Sequence, residues 1–119
     1  RRRLEAEGVR LLGFVSDEEL ARLYRGAAVF AYPSRFEGFG MPEVEALASG
    51  VPAVVSSHGS LDEACGDVAI RVDPEDTPAF AEALERALDE PRGRGLPHAS
   101  RFTWRACGEA VLSGYLQSA

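Results

Sequence analysis

An α/β layer, with a mostly parallel sheet of about four strands and flanking helices, is the fold class that this sequence predicts. Three observations predict it. Short apolar runs at residues 9–14, 29–32, 52–56 and 69–72 have the length and composition of strands. Helical apolar patterns with recognisable start residues lie between and after them. Residues 29–56 hold strand, glycine-bearing loop, helix and strand in succession, the βαβ arrangement whose parallel strands are joined by a crossover.

In chain order, residues 1–7 read as the end of a helix closed by Gly8, and residues 9–14 as the first strand. Ser16 and Glu19 have capping-box spacing. Leu20, Leu23 and Tyr24 then form the apolar stripe of a helix over 17–26. The second strand is Val-Phe-Ala-Tyr at 29–32. The helix that follows runs from Pro42 to Ser49: proline suits the first helical position, where its missing N–H would be an orphan, and Gly50 closes the helix in a left-handed conformation. Residues 52–56 form the third strand, and 57–66 a polar connection with turn chemistry. The last strand, 69–72, is closed by Asp73-Pro74. Thr77-Pro78 starts a helix with Phe80, Ala81, Leu84 and Leu88 on one face, and the Pro- and Gly-bearing stretch 91–97 breaks it. Thr103 is the expected N-cap of a final helix with an apolar stripe of Trp104, Cys107, Val111, Leu112 and Tyr115.

The chemistry concentrates between Ser34 and Gly50. The loop 33–41 leaves a strand at the edge of the sheet where ligands of open α/β folds bind. Gly38 and Gly40 give it a permissive backbone. Free N–H groups at the following helix start offer an anion site, reinforced by the helix dipole. Two carboxylates, Glu37 and Glu45, flank that start with seven residues between them. At about 1.5 Å of rise per residue, Glu45 stands roughly one turn along the helix. A diphosphate at the helix start would therefore place a sugar near Glu37 and a ribose diol near Glu45. Acidic residues also offset the dipole of any helix start, so on spacing alone Glu43 and Glu45 read also as ordinary stabilising charges. His58, just past a strand end, has the residue type of a general base; a surface-loop histidine is the simpler reading.

The full phrase Glu37-Gly-Phe-Gly-Met-Pro-Glu-Val-Glu45-Ala-Leu-Ala-Ser-Gly50-Val-Pro52 closely resembles the signature of the retaining GT-B glycosyltransferases of family 4. The resemblance runs from about Val9 to Tyr115 and implies the latter half of a Rossmann-like GT-B C-terminal domain, the half-molecule that binds a nucleotide-sugar donor. It implies Glu37 as the catalytic residue, contacting donor-sugar hydroxyls. The backbone of Gly38, Phe39, Gly40 and Met41 is implied in contacts to sugar and phosphate, and Glu45 in holding the ribose diol. Gly13, Phe14 and Val15, which resemble the family's Leu-Gly-x-Val turn, are implied as base contacts; from the residues alone they read equally as a strand end. Ser57 to Gly66 resembles a family loop that commonly reads Leu-Pro-Glu, with Asp62 where proline is usual and Glu63 on the matching glutamate. Residues 102–104, Phe-Thr-Trp, resemble the family's closing segment, and Trp104 reads there as a packing anchor rather than a sugar platform. The implied partners are the donor, an acceptor of unknown class (glycan, lipid or small molecule) and an N-terminal GT-B domain that this chain lacks. The family's diphosphate-binding Arg and Lys lie upstream of the matched region. The implied reaction uses no metal and no cofactor.

Composition narrows the alternatives. The 119 residues make one domain of size sufficient for a core, and the absence of an initiating methionine leads us to expect part of a longer protein. The net charge is −6 and all 13 basic residues are arginine, a balance that argues against a nucleic-acid partner. Arg1 to Arg3 precede no apolar stretch, so a secretory signal is not expected from them. Cys65 and Cys107 are isolated, without metal-ligand spacing, and read as reduced thiols of a cytoplasmic protein, peripheral to a membrane if the acceptor is a lipid. A sheet cut in half would expose an apolar edge, so a dimer is expected to be within reach. Two other functions fit the pattern: a non-catalytic flavodoxin-like binding module, and another GT-B enzyme such as a phosphorylase or epimerase. The Glu37-to-Pro52 phrase favours the transferase.

Overall fold

The computed structural model describes residues 7–118. The expected helix end at 1–7 lies outside them except for Glu7. Among the described residues, the elements in chain order are α1 (Asp17–Gly26), β1 (Phe30–Tyr32), α2 (Met41–Ala48), β2 (Ala53–Ser56), a 3-10 turn (Gly59–Leu61), α3 (Asp62–Cys65), β3 (Ile70–Val72), α4 (Thr77–Ala87), α5 (Leu96–Ala99) and α6 (Trp104–Ser118). The sheet has three parallel strands in the order β1-β2-β3, with Phe30 opposite Ala53 and Val54 opposite Ile70.

The central strand is buried along its whole length, as a strand covered on both faces must be. Its side chains alternate between two apolar clusters. Ala53 and Val55 join Val44, Leu47, Leu61, Ala64 and Cys65 on one face, whereas Val54 joins Val72, Phe80, Ala83 and Ala87 of α4 on the other. Helices on both faces of a parallel sheet are the α/β class.

Local signals explain most boundaries. Ser16 Oγ accepts the Glu19 N–H at 3.2 Å to start α1, Asp76 Oδ1 accepts the Ala79 N–H at 3.0 Å to start α4, and Thr103 Oγ1 accepts the Ala106 N–H at 3.1 Å to start α6. Gly50, at φ +76°, ends α2. The Arg92 guanidinium donates to the carbonyls of Arg25 and Ala27 at the end of α1, satisfying groups that the helix leaves open.

Several expectations are corrected. Residues 9–14 form no strand: the segment makes no ladder with β1, β2 or β3, and Val9, Leu11 and Leu12 are exposed. A strand persists only where a neighbour supplies its hydrogen bonds. Among the described residues the sheet therefore has three strands rather than the expected four or so. On α4 the buried face is Phe80, Ala83 and Ala87, with Leu84 at its margin; Ala81 and Leu88 are exposed. Small alanines let the helix lie close on β2 and β3, which larger residues would prevent. Leu23 on α1 is exposed, whereas Tyr24 is buried. The connection 57–66 is not a plain loop but a 3-10 turn running into α3. No residue of α6 is buried, and Trp104 is 92% exposed, so it anchors no packing among the described residues.

Candidate functional site

The site is built where β1 ends and α2 begins. Tyr32 closes β1, the loop turns through Ser34 to Phe39, and Gly40 caps α2. Gly40 has φ +98° and ψ +49°, a left-handed conformation that glycine adopts without steric cost. A Cβ there would stand 2.7 Å from both Glu43 Oε2 and Leu61 Cδ2, so the position has neither the backbone nor the space for another residue. No side chain caps the helix start, and Pro42 contributes no N–H. A helix start of this kind, without a side-chain cap and at the positive end of the dipole, is chemically suited to an anion.

Both glutamates are held by tyrosines. Tyr32 donates its hydroxyl to Glu37 Oε1 at 2.6 Å, and Ser34 Oγ donates to the same oxygen at 2.9 Å. Tyr24 donates to Glu45 Oε2 at 3.0 Å. The rings of Tyr24, Phe30 and Tyr32 form a row with centroids 5.6 and 5.8 Å apart, so the carboxylates sit at the two ends of one aromatic series. Among the described residues each keeps one oxygen without a protein donor, and a carboxylate oxygen can accept from a ligand hydroxyl. The Tyr32 and Ser34 hydrogen bonds hold the Glu37 carboxyl below the usual carboxylate range, against the opposing effect of partial burial; the nearby His58 adds to the lowering. Tyr32 is pushed up to about 12, first by its hydrogen bond to Glu37 and then by burial. Tyr24 is raised too, by burial first and by Glu45 second. Both phenols therefore remain donors.

Glu43 lies between these groups but is not a solvated first-turn charge. It is fully buried, and among the described residues no other residue gives either carboxylate oxygen a hydrogen bond. Burial pushes its carboxyl up, with the negative Glu37 adding to the effect; its own backbone N–H and Arg71 act the other way.

Among the expected donor contacts, Glu37, Gly38, Phe39, Gly40, Met41 and Glu45 are thus gathered on one loop and helix start. The Phe39 side chain turns away from solvent and packs edge-on against Phe102, centroids 5.5 Å apart, which leaves its backbone for the site. Gly13, with φ +68°, Phe14 and Val15 precede α1; no hydrogen bond among the described residues ties them to the glutamates, and the Phe14 side chain is 99% exposed. Residues from later in the chain also reach this edge. Arg71 on β3 donates to the carbonyls of Ser56 and His58 and pairs with Asp62 at 2.9 Å, fixing the loop after β2. The register that sets Arg71 opposite Val55 brings it there, and no local spacing signals it. Tyr32 and Ser34 were detectable only as polar groups at a strand's carboxyl end. Among the described residues no group of three or more His, Cys, Asp or Glu is gathered to hold a metal, and no helix is long and apolar enough to cross a membrane. A groove of about 890 Å³ between Met41, His98, Phe102 and α6 contains neither glutamate.

Comparison with known proteins gives concordant matches. The family described as glycosyl transferases group 1 matches residues 1–90. The chain is 39% identical over 113 residues to O-antigen chain mannosyltransferase B of Escherichia coli, covering 90% of this chain and 30% of that protein. It is 47% identical over 111 residues to MMP alpha-(1->4)-mannosyltransferase of Mycolicibacterium hassiacum, covering 85% and 27%. It is 39% identical over 118 residues to D-inositol 3-phosphate glycosyltransferase of Corynebacterium diphtheriae, covering 92% and 28%. The chain therefore spans less than a third of the length of these relatives.

Proposed function

The chain belongs to the glycosyl transferases of group 1, and from the Glu37–Glu45 site we propose that it is the donor-binding part of a retaining GT-B enzyme of family 4, from the latter half of the C-terminal domain. The intact protein moves a sugar from a nucleoside-diphosphate sugar to an acceptor. One observation carries this reading: two carboxylates, each clamped by a tyrosine, flank an uncapped helix start at the carboxyl edge of a parallel sheet.

The roles follow from the geometry. The diphosphate sits on the N–H groups after Gly40, where the helix dipole stabilises the charge that develops on the leaving group. Glu37 accepts from sugar hydroxyls through Oε2, with Oε1 held by Tyr32 and Ser34. Glu45 accepts from the ribose diol, and the turn at Gly13, Phe14 and Val15 lies against the base. Three glutamates beside a diphosphate would oppose its binding. Burial relieves part of that repulsion by favouring the neutral form of Glu43. The remaining positive charge is supplied by the upstream Arg and Lys of the family pattern, so the chain alone binds donors weakly and transfers no sugar. Acceptor choice rests with the N-terminal domain, and the site is cytoplasmic. Because two of the relatives are named mannosyltransferases, a mannosyl donor is the first to try.

Glu37→Gln and Glu45→Gln in the intact protein test the reading. Loss of transfer in the first and weakened nucleotide binding in the second are expected. Full activity in both would favour a binding module that needs neither carboxylate.

A further inference from the structure

We propose that His58 is a further donor-contacting residue, whose Nε2–H donates to a hydroxyl of the transferred sugar beside Glu37. The proposal rests on the donor-binding reading and adds to it a residue from the loop after β2. The sequence suggested an ordinary surface-loop histidine; the structure sets it half-buried in the loop after β2, at the start of the 3-10 turn.

His58 is half-buried, and its ring meets that of Phe36, the chain neighbour of Glu37, edge-on with centroids 6.0 Å apart. Three contacts fix its orientation. The backbone N–H of Ser60 donates to Nδ1 at 3.2 Å, Ser60 Oγ lies 2.7 Å from the same atom, and the His58 carbonyl accepts from Arg71 Nη2 at 2.8 Å. A backbone N–H can only donate, so Nδ1 is an acceptor and the neutral ring carries its proton on Nε2. Nε2 has no hydrogen-bond partner among the described residues. The ring is thus held at one nitrogen and open at the other, as in sites that are organised before the ligand arrives.

The neighbouring chemistry selects the ligand group. Glu37 can only accept, and its Oε1 is already occupied, so a sugar hydroxyl that donates to Oε2 still needs a donor for its own lone pairs. Nε2–H provides one.

Two substitutions separate the ends of the ring. His58→Asn keeps an acceptor near the position of Nδ1 for the Ser60 N–H and removes the outer donor; His58→Gln keeps a donor near the position of Nε2 and removes the inner acceptor. Calorimetric titration of the intact protein with GDP and GDP-mannose, and with UDP and UDP-glucose, uses whichever pair the unmodified protein binds. His58→Asn should weaken sugar-nucleotide binding about three- to tenfold, the range for one net hydrogen bond, with the bare diphosphate unchanged. His58→Gln should bind the sugar nucleotide more tightly than His58→Asn does. Equal weakening for diphosphate and sugar nucleotide would assign His58 to the phosphates and overturn the proposal, as would no change for either ligand. An unmodified protein that binds none of the four ligands would overturn the donor-binding reading itself, and the proposal with it.

Discussion

Replacing Glu43 probes the least expected feature of the site. Its carboxyl is fully buried with neither oxygen bonded to another of the described residues, and an unmatched buried polar group costs about 1–3 kcal/mol. Glu43→Met removes that cost in a side chain of similar length, so the variant should be more stable than the parent by about 1–3 kcal/mol near pH 8, less whatever the extra volume costs. Glu43→Gln removes the titration while keeping a buried polar group of the same shape. Burial raises the folded-state pKa of Glu43 above its unfolded value, so the neutral form is favoured in the fold. The contribution is fully present below the unfolded value, about 4.3, and is lost as pH rises through the raised folded value. The stability gained by Glu43→Gln should therefore increase with pH across that window, by no more than about 1.4 kcal/mol per pH unit, and then level off. Urea unfolding followed by circular dichroism between pH 4 and 8 measures both effects. A Glu43→Gln difference that is flat with pH would show that the carboxyl is solvated or paired, and the reasoning from burial would fail.

Other perturbations reach neighbouring features. Gly40→Ala combines a left-handed backbone with a Cβ 2.7 Å from Glu43 Oε2 and Leu61 Cδ2, and should destabilise by about 2–5 kcal/mol in the same unfolding assay. In a Glu43→Ala background the loss should be smaller, because one of the two clashing groups is gone. Tyr32→Phe removes the larger of the two hydrogen bonds that lower the Glu37 carboxyl, so the acid limb of donor binding should move to higher pH; an unmoved limb would separate Glu37 from that titration. Cys65 is buried, with its thiol pushed up to about 11 chiefly by that burial, whereas Cys107 is exposed. Under native conditions a thiol reagent should label Cys107 and reach Cys65 only on unfolding, as peptide mass mapping would reveal.

What could be read from the sequence was local. Ser16, Pro42, Gly50, Asp73-Pro74, Thr77-Pro78 and Thr103 punctuate the chain through their own backbone chemistry, and the elements that they bound begin or end within a residue or so of the expected positions. The Glu37-to-Pro52 phrase likewise gathers most of the candidate site on one loop and helix, so its grouping needed no tertiary information. The remainder depends on partners distant in sequence. Whether residues 9–14 form a strand is decided by a neighbour able to pair with them, which apolar composition does not report. The buried face of α4 is set by the close approach of Ala83 and Ala87 to the sheet, which the apolar pattern of Phe80, Ala81, Leu84 and Leu88 does not report. Glu43 gave no signal of burial, since a glutamate in a first helical turn ordinarily faces water. Tyr24, 21 residues from Glu45, and Arg71, 13 from His58, reach the site only through the sheet register and the packing of α1 on α2.

The most direct test of donor binding at the Glu37–Glu45 site is a titration of the isotope-labelled intact protein with GDP-mannose, UDP-glucose and the bare diphosphates, following backbone amides by NMR. Shifts concentrated at Gly38 to Glu45, with a second group at Gly13 to Val15 that depends on the base, are the expected result. Saturable binding that leaves all of those amides unmoved would contradict it and place the donor elsewhere.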